Sequence, residues 1–199
     1  MAFELSYINE RISTDPVGFV EECEARYHDK VALAARMIAE NVKLSPLVLL
    51  SGPSGSGKTT TAQKVTEALS LLGINSRSIA LDHYFIPRTE ANLPLTPEGD
   101  PDYESPRCID WSLLNSHFDE LETGREIIIP YFSFVRQSRD ESKAKPLCVK
   151  SDEVIIFEGI HALNSLITSS QPEAFRLYVS ARSDTYDGDK LVFKGTWKR

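Results

Sequence analysis

Residues Gly52-Pro-Ser-Gly-Ser-Gly-Lys-Thr59 decide the fold of this chain. They spell G-x-x-x-x-G-K-[ST], a phosphate-binding loop (P-loop) whose glycines permit a tight turn and whose amide N–H groups surround a polyphosphate. The Lys58 ammonium suits the β- and γ-phosphates, and the Thr59 hydroxyl is an oxygen ligand for Mg²⁺. An ordinary Gly/Ser turn is the alternative. The pattern predicts nucleotide binding by Gly52, Ser54, Gly55, Ser56, Gly57, Lys58, Thr59 and Thr60.

The segments on either side of the loop provide the setting that the motif requires. Residues 46–51 are mostly apolar and predict a buried strand, and residues 59–72 predict a helix that Gly73 ends. Further strands are predicted at 76–81, 127–129, 154–157 and 176–180, with a helix at 111–122. This alternation predicts an α/β P-loop NTPase fold, in which a mostly parallel sheet is flanked by helices.

The N-terminal residues predict a helical extension. Asp15 and Pro16 are a typical helix start, and apolar residues then recur every three or four positions to about Asn41. We expect this helix to pack on the core, with a partner-binding helix as the alternative. Residues 87–106 hold five prolines and predict a long irregular loop of the kind that is usually functional. Residues 131–150 predict a hairpin or a pair of loops, with a polar tip at 139–145.

Composition limits the function classes. The net charge of −7 argues against nucleic acid or an anionic membrane as the main partner. Three widely spaced cysteines without a C-x-x-C pair fit reduced thiols in the cytoplasm. No basic segment followed by an apolar run begins the chain, and no apolar stretch approaches 18 residues, so we expect neither a secretion signal nor a membrane span.

Two carboxylates follow predicted strands. Asp82 comes at the end of strand 76–81, where ligands of α/β sheets bind, and could accept a hydroxyl proton or hold Mg²⁺ and its waters. A turn or helix-cap role is the alternative. Glu158 follows four apolar residues, which predicts a metal or catalytic role once the P-loop is given. His161 follows closely and is better explained as a structural residue.

Five motifs resemble the uridine kinase/phosphoribulokinase family in order and spacing, and the uridine kinase branch most. They are Gly52–Thr59, Asp82–Phe85, Tyr103–Pro106 with Asp110, Pro130–Arg139 and Phe157–Asn164, and the similarity covers roughly residues 46–180. The resemblance implies transfer of the γ-phosphoryl group of ATP or GTP, with Mg²⁺, to the 5′-hydroxyl of a nucleoside-like acceptor. It divides the chain into an N-terminal helical extension (1–45) and a P-loop kinase domain (46–199).

The resemblance also implies site residues. Asp82 stands where the family has its catalytic base, and Lys58 and Glu158 complete the catalytic group, with Thr59 and Glu158 as metal ligands. The implied acceptor-binding residues are Asp82, Phe85, Tyr103, Glu104, Phe132, Gln137 and Arg139. Where uridine kinases have tyrosine, aspartate, tyrosine and histidine, this chain has Phe85, Glu104, Phe132 and Gln137. Fewer groups are therefore present to recognise a pyrimidine edge.

The lid motif R-R-x-x-R-D of the family is absent from residues 181–199, so we expect either that the chain stops just before the lid or that it is a variant without one. An arginine at the transition state can be worth about 10³–10⁵ in rate. We therefore expect weak turnover unless Arg136, Arg139 or an arginine from a partner, including a homo-oligomer, replaces it. Two alternatives stay open: a non-catalytic nucleotide-binding protein, and a kinase for another small alcohol or sugar phosphate. A nucleic-acid-dependent NTPase or a translation-type GTPase is disfavoured by the acidic charge and by the absence of a guanine-reading N/T-K-x-D element.

Overall fold

The computed structural model describes residues 3–89, 92–150 and 152–197. Its helices are α1 (Leu5–Thr14), α2 (Pro16–Asn41), α3 (Lys58–Leu71), α4 (Trp111–Glu122) and α5 (Ser165–Thr168). Its strands are β1 (Phe3–Glu4), β2 (Leu47–Ser51), β3 (Asn75–Ala80), β4 (Ile127–Ile129), β5 (Phe132–Ser133), β6 (Ser138–Arg139), β7 (Lys145–Leu147), β8 (Glu153–Glu158), β9 (Phe175–Tyr178), β10 (Thr185–Asp187) and β11 (Lys190–Phe193).

A four-stranded parallel sheet in the order β3-β8-β2-β9 forms the centre of the fold. Every residue of β2 and of β8 is buried, because apolar side chains on both faces of these strands are covered. Leu49 and Phe157 pack into the core on one face, and Leu50 and Ile156 pack into the core on the other. Strands covered on both faces are typical of α/β proteins, so the predicted fold class is confirmed.

Helices α2 and α3 cover one face of the sheet. The Asp15 carboxylate accepts a hydrogen bond from the Gly18 amide (3.0 Å), which begins α2 at the predicted residue. Val31 and Ile38 are buried against α3 and the sheet, and the Tyr27 and Thr61 hydroxyls lie 2.9 Å apart. The prediction that this helix packs on the core is confirmed. Although α2 has 26 residues, neither it nor any other described helix has an apolar stretch that could span a bilayer.

The strand register brings three segments of the sequence to one edge of the sheet. Leu50 on β2 and Ala80 on β3 both lie beside Glu158, the last residue of β8. The P-loop begins two residues after Leu50, and Asp82 lies two residues after Ala80. Parallel strands end at the same edge, so these segments converge at the carboxyl end of the sheet, where α/β proteins bind ligands.

The predicted strand at 127–129 exists, but the prediction that it belongs to the parallel sheet was wrong. Strand β4 pairs antiparallel with β7 and lies outside the central sheet. It is only three residues long, and Pro130, which lacks a backbone donor, follows it at once. Inside this pair a second hairpin joins β5 to β6, and its tip is 134–137 instead of the predicted 139–145. The tip carries the apolar residue Val135, which is 96% exposed, so the search for a polar segment did not find the tip.

Most other boundaries differ from prediction by one or two residues, but helix α1, the four-residue helix α5 and the small sheet β1-β10-β11 were not predicted. Helix α1 precedes α2, and a small sheet β1-β10-β11 joins the two ends of the described chain. Two-residue β1 is too short to show a pattern. The predicted irregular loop is confirmed in its described part: residues 87–89 and 92–105 contain only an isolated bridge between Leu95 and Pro101.

The 3₁₀ helix Leu81–Tyr84 holds Asp82 and is anchored in the core through Tyr84. The Tyr84 ring is fully buried and packs near Phe157, with ring centroids 6.3 Å apart. Its hydroxyl lies 3.0 Å from Nδ1 of His117, a buried histidine of α4. Burial lowers the pKa of His117, which favours the neutral imidazole. The tyrosine therefore fixes the segment that presents Asp82.

Replacing Tyr84 with phenylalanine should lower the free energy of unfolding by about 1–3 kcal/mol, because the change leaves a buried imidazole nitrogen without its partner. Urea unfolding at pH 7, compared between the variant and the original protein, measures this. Tyr7→Phe, at a tyrosine that is 43% exposed, is the control and should change stability little. Equal stability of the Tyr84 and Tyr7 variants would contradict the anchoring role.

Candidate active site

The phosphate-binding loop has the backbone that its glycines predict. Gly55 and Gly57 have φ values of 70° and 83°, in the left-handed region that favours glycine. Gly52 is needed for a different reason, since a Cβ there would lie 2.1 Å from the Val179 carbonyl oxygen. The hydroxyl oxygen of Ser56 is buried without a hydrogen-bond partner, so the loop offers an unused polar group. Such a loop fits a polyphosphate.

Lys58, Thr59 and Glu158 meet beside the loop. The Thr59 hydroxyl donates to the Glu158 carboxylate (2.8 Å), and the Lys58 ammonium donates to the Pro53 carbonyl (3.0 Å). Glu158 is 8% exposed. A hydroxyl and one carboxylate suit Mg²⁺, which usually takes one or two protein oxygens together with waters and substrate phosphates. Among the described residues, no group of three or more His, Cys, Asp or Glu side chains could hold a metal ion.

Asp82 faces the same space. Its partial withdrawal from water raises the pKa of its carboxyl above the ordinary value, and Lys58 is the strongest of the charges that oppose this shift. Further opposition comes from His83, His161 and Arg88. A carboxylate with a raised pKa is a better proton acceptor than an ordinary aspartate, which is the property a general base needs.

One cavity of about 370 Å³ joins these groups. It is lined by Ser54, Lys58, Thr59, Ala80, Asp82, Phe85, Arg88, Tyr103, Glu104, Phe134, Glu158, Gly159 and Ile160. The predicted phosphate-binding, metal-binding and proton-accepting residues therefore open into a single space. Phe85, Tyr103 and Glu104, which the family resemblance assigned to the acceptor, line it as well.

Three predicted acceptor residues lie outside this lining. Phe132 is 2% exposed and packs in the core, with its ring centroid 5.5 Å from that of Phe85. Gln137 lies at the hairpin tip and accepts a hydrogen bond from Arg88. The Arg139 guanidinium donates to Asp110 (2.9 Å), in an ion pair that is mostly buried. The loop residues Gly52, Gly55, Ser56, Gly57 and Thr60 do not line this cavity either.

The arginines proposed to replace the lid do not point into the cavity. Arg139 is paired with Asp110, and Arg136 is paired with Asp140 (3.4 Å), with most of its side chain exposed. Neither lines the cavity. The expected weak turnover stays a prediction, but these two side chains give no support for a substitute arginine.

Arg88 and Phe134 line the cavity and were missed from the sequence. Arg88 lies in the irregular loop, where neither periodicity nor a family motif indicates a direction for its side chain. The only feature of the sequence that could have indicated a role for Arg88 is that it lies near the predicted acceptor-binding residues Phe85 and Tyr103. The Nε2 atom of His161 lies 2.8 Å from the Glu104 carbonyl oxygen, a contact that agrees with the structural role expected for this histidine.

Residues 47–184 match the family model described as the phosphoribulokinase/uridine kinase family. This chain belongs to that family. A curated relative is the uridine kinase of Halobacterium salinarum, which is 30% identical over 135 residues, covering 68% of this chain and 56% of the relative. The chain thus spans about half the length of the curated relatives that it matches. Family membership implies the use of a nucleotide.

Two solved structures share the fold. A protein described as a possible uridine kinase from Bacillus stearothermophilus is 20% identical with a TM-score of 0.52, over 66% of this chain and 68% of that one. A Silicibacter protein whose description names a fructose transport system kinase is 21% identical with a TM-score of 0.55, over 70% of each chain. At these identities the two structures show the fold alone.

Gly52→Ala should abolish measurable nucleotide binding, because the added methyl group would collide with the Val179 carbonyl and displace the loop. Titration calorimetry with ATP and Mg²⁺ measures the effect. Gly188→Ala, which adds the same methyl group in the turn between β10 and β11, should retain the original affinity even if its positive φ lowers stability. Unchanged ATP affinity in Gly52→Ala would refute this account of the loop.

Proposed function

We propose that the chain is an ATP- or GTP-dependent phosphotransferase that phosphorylates a hydroxyl group of a small acceptor. The main support is the lining of one cavity. It contains the P-loop residues Lys58 and Thr59 together with the carboxylates of Glu158 and Asp82. Phosphoryl transfer needs positioning and charge stabilisation more than covalent help, and these groups supply both.

Each residue has a distinct proposed role. Thr59 and Glu158 would hold Mg²⁺, which when bound neutralises charge on the phosphate oxygens. Lys58 would leave the Pro53 carbonyl to contact the transferring phosphoryl group. Asp82 would accept the proton of the acceptor hydroxyl as its oxygen forms the new bond to phosphorus. The nucleoside diphosphate would then leave with the electron pair of the broken bond.

Two acceptor classes have support. A nucleoside phosphorylated at its 5′-hydroxyl is supported by the description of the curated relatives as uridine kinases and by Tyr103 and Glu104 in the cavity. A different small alcohol, including a sugar phosphate, is supported by Arg88, a cation in the same lining. A non-catalytic nucleotide-binding protein is disfavoured, since nucleotide binding alone does not need Asp82 beside the loop.

The cytoplasm is the proposed location. Cys23, Cys108 and Cys148 are free in the structure, which suits a compartment that keeps thiols reduced.

Asp82→Asn should reduce acceptor-dependent ATP consumption by about 10²–10⁴-fold while ATP affinity stays within a few-fold, because the amide cannot take the proton. A coupled assay across nucleosides and phosphorylated or carboxylated alcohols measures turnover, and calorimetry measures affinity. Asp29→Asn, at an exposed residue of α2, is the control. Full activity of Asp82→Asn would remove this residue from the chemistry. ATP binding without turnover on any acceptor would favour the non-catalytic alternative.

The pH profile of turnover provides a second test. The base must be ionised, so activity should fall as the pH drops through the pKa of Asp82. Because that pKa is raised, the acidic limb should lie above pH 3.8, the ordinary value for aspartate. An acidic limb of kcat/KM at or below that value would argue against Asp82 as the base.

A further inference from the structure

We propose that Arg88 selects an acceptor alcohol that carries a fixed oxyanion, and that its guanidinium excludes a nucleobase from the aromatic part of the cavity. The oxyanion could belong to a phosphate or to a carboxylate group. This inference rests on the proposed function and specifies the acceptor class for the same site.

The Arg88 guanidinium occupies the space among three aromatic rings. Its central carbon lies 5.0 Å from the ring centroid of Phe85, 4.9 Å from that of Tyr103 and 5.3 Å from that of Phe132. All three distances are within the range of cation–π attraction. These are the rings that the family resemblance assigned to the acceptor. A planar base cannot stack on ring faces that the guanidinium already covers, so a nucleoside would first have to displace Arg88.

Gln137 holds the guanidinium in this position. The Arg88 Nη1 donates to Gln137 Oε1 (2.7 Å), and the Arg88 amide donates to the Gln137 carbonyl (2.9 Å). The Gln137 side-chain nitrogen donates in turn to the Phe134 carbonyl (2.5 Å). Both ends of the Gln137 amide are therefore engaged. This side chain, which the resemblance placed against the nucleobase, cannot read a base edge without releasing Arg88.

The charge of Arg88 has no protein counter-ion in the described structure. Across residues 3–89, 92–150 and 152–197, no carboxylate oxygen lies within 4.0 Å of its guanidinium nitrogens. Its Nε is buried and has no hydrogen-bond partner. A guanidinium is a planar fork of donors that fits phosphate and carboxylate oxygens. Arg88 therefore presents to the cavity a guanidinium that has no direct ion-pair partner, although the Asp82 carboxylate is close enough to interact with its charge, and an anionic ligand would pair with it.

The rest of the cavity is consistent with a small, polar acceptor. Ser54, Lys58 and Thr59 line the same 370 Å³, so the acceptor shares this space with the end of the polyphosphate. Glu104 also lines it and would accept hydrogen bonds from hydroxyl groups of the acceptor, although it would repel an anion placed against it. We therefore assign the oxyanion to Arg88, further hydroxyls to Glu104 and the reacting hydroxyl to Asp82.

Acceptor binding measured without nucleotide tests the inference. The probes are D-ribose 5-phosphate, glycerol 3-phosphate and D-glycerate as anionic alcohols, with uridine and cytidine as neutral nucleosides, each titrated into the whole chain by calorimetry. At least one anionic probe should bind more tightly than both nucleosides, and its affinity should fall as NaCl is raised. Arg88→Met, which keeps the length of the side chain but removes its charge, should weaken that binding roughly 10- to 100-fold.

Arg107→Met is the matched control, because Arg107 is exposed in the same region and does not line the cavity. It should leave every affinity unchanged. Thermal unfolding of both variants establishes that they are folded. If Arg88→Met fails to fold, Arg88→Lys, which keeps the charge but loses the planar fork, should still bind the anionic probe, more weakly than the original protein.

Three results would overturn the inference. The first is that no anionic probe binds at millimolar concentration. The second is that an anionic probe binds and Arg88→Met does not weaken its binding. The third is that the original protein binds uridine or cytidine more tightly than any anionic probe. The proposed function fails separately, through a lack of acceptor-dependent turnover or its survival in Asp82→Asn. Arg88-dependent binding of an anionic alcohol without turnover would thus support the inference while rejecting the enzymatic proposal.

Discussion

The parallel pairing of β8 between β2 and β3 is the constraint on which the rest of the site depends. Because Leu50 and Ala80 both lie beside Glu158, the P-loop, the buried carboxylate and Asp82 leave the sheet at the same edge. The pairing is stable because apolar side chains cover both faces of the two central strands. A one-residue slip of β8 would exchange those faces and move Glu158 away from Thr59. The packing of the core and the geometry of the site therefore depend on the same strand register.

The position of Asp82 depends on the core in a second way. Its 3₁₀ helix continues directly from β3, and Tyr84, two residues further on, is fully buried and bonded to His117. One side chain of this short segment is thus fixed among apolar residues while another faces the cavity. A carboxyl held in place at a partly desolvated position has a raised pKa without needing a second acid beside it.

The central fold and the phosphate side of the site could be predicted from the sequence because their signals are local. Consecutive apolar residues mark β2 and β8, and the spacing of the glycines and Lys58 fixes the loop. The antiparallel position of β4 could not be predicted, since three residues carry no information about which strand they will pair with. The same holds for β1, whose partner Thr185 is more than 180 residues away in the chain.

The acceptor side was less predictable for a related physical reason. Phe132 and Arg139 belong to the segment Pro130–Arg139, which resembles a motif of the family. The structure nevertheless places Phe132 in the core and Arg139 in an ion pair with Asp110. Arg88 instead comes from a loop without periodicity, and its guanidinium donates a hydrogen bond to Gln137, a residue of the hairpin tip with φ 52°.

The phosphate side of the cavity and the wall opposite it are therefore constrained by the fold to different degrees. The phosphate side is built on the ends of central strands, where any shift would disturb the core on both faces of the sheet. The opposite wall comes from the irregular loop before α4 and from the β5-β6 hairpin, whose strands are two residues long and lie outside the central sheet. The fold thus constrains the phosphate side of the cavity more strongly than the acceptor side. For this chain the side chains of that wall, Arg88 above all, are better evidence for the acceptor than the descriptions of its relatives.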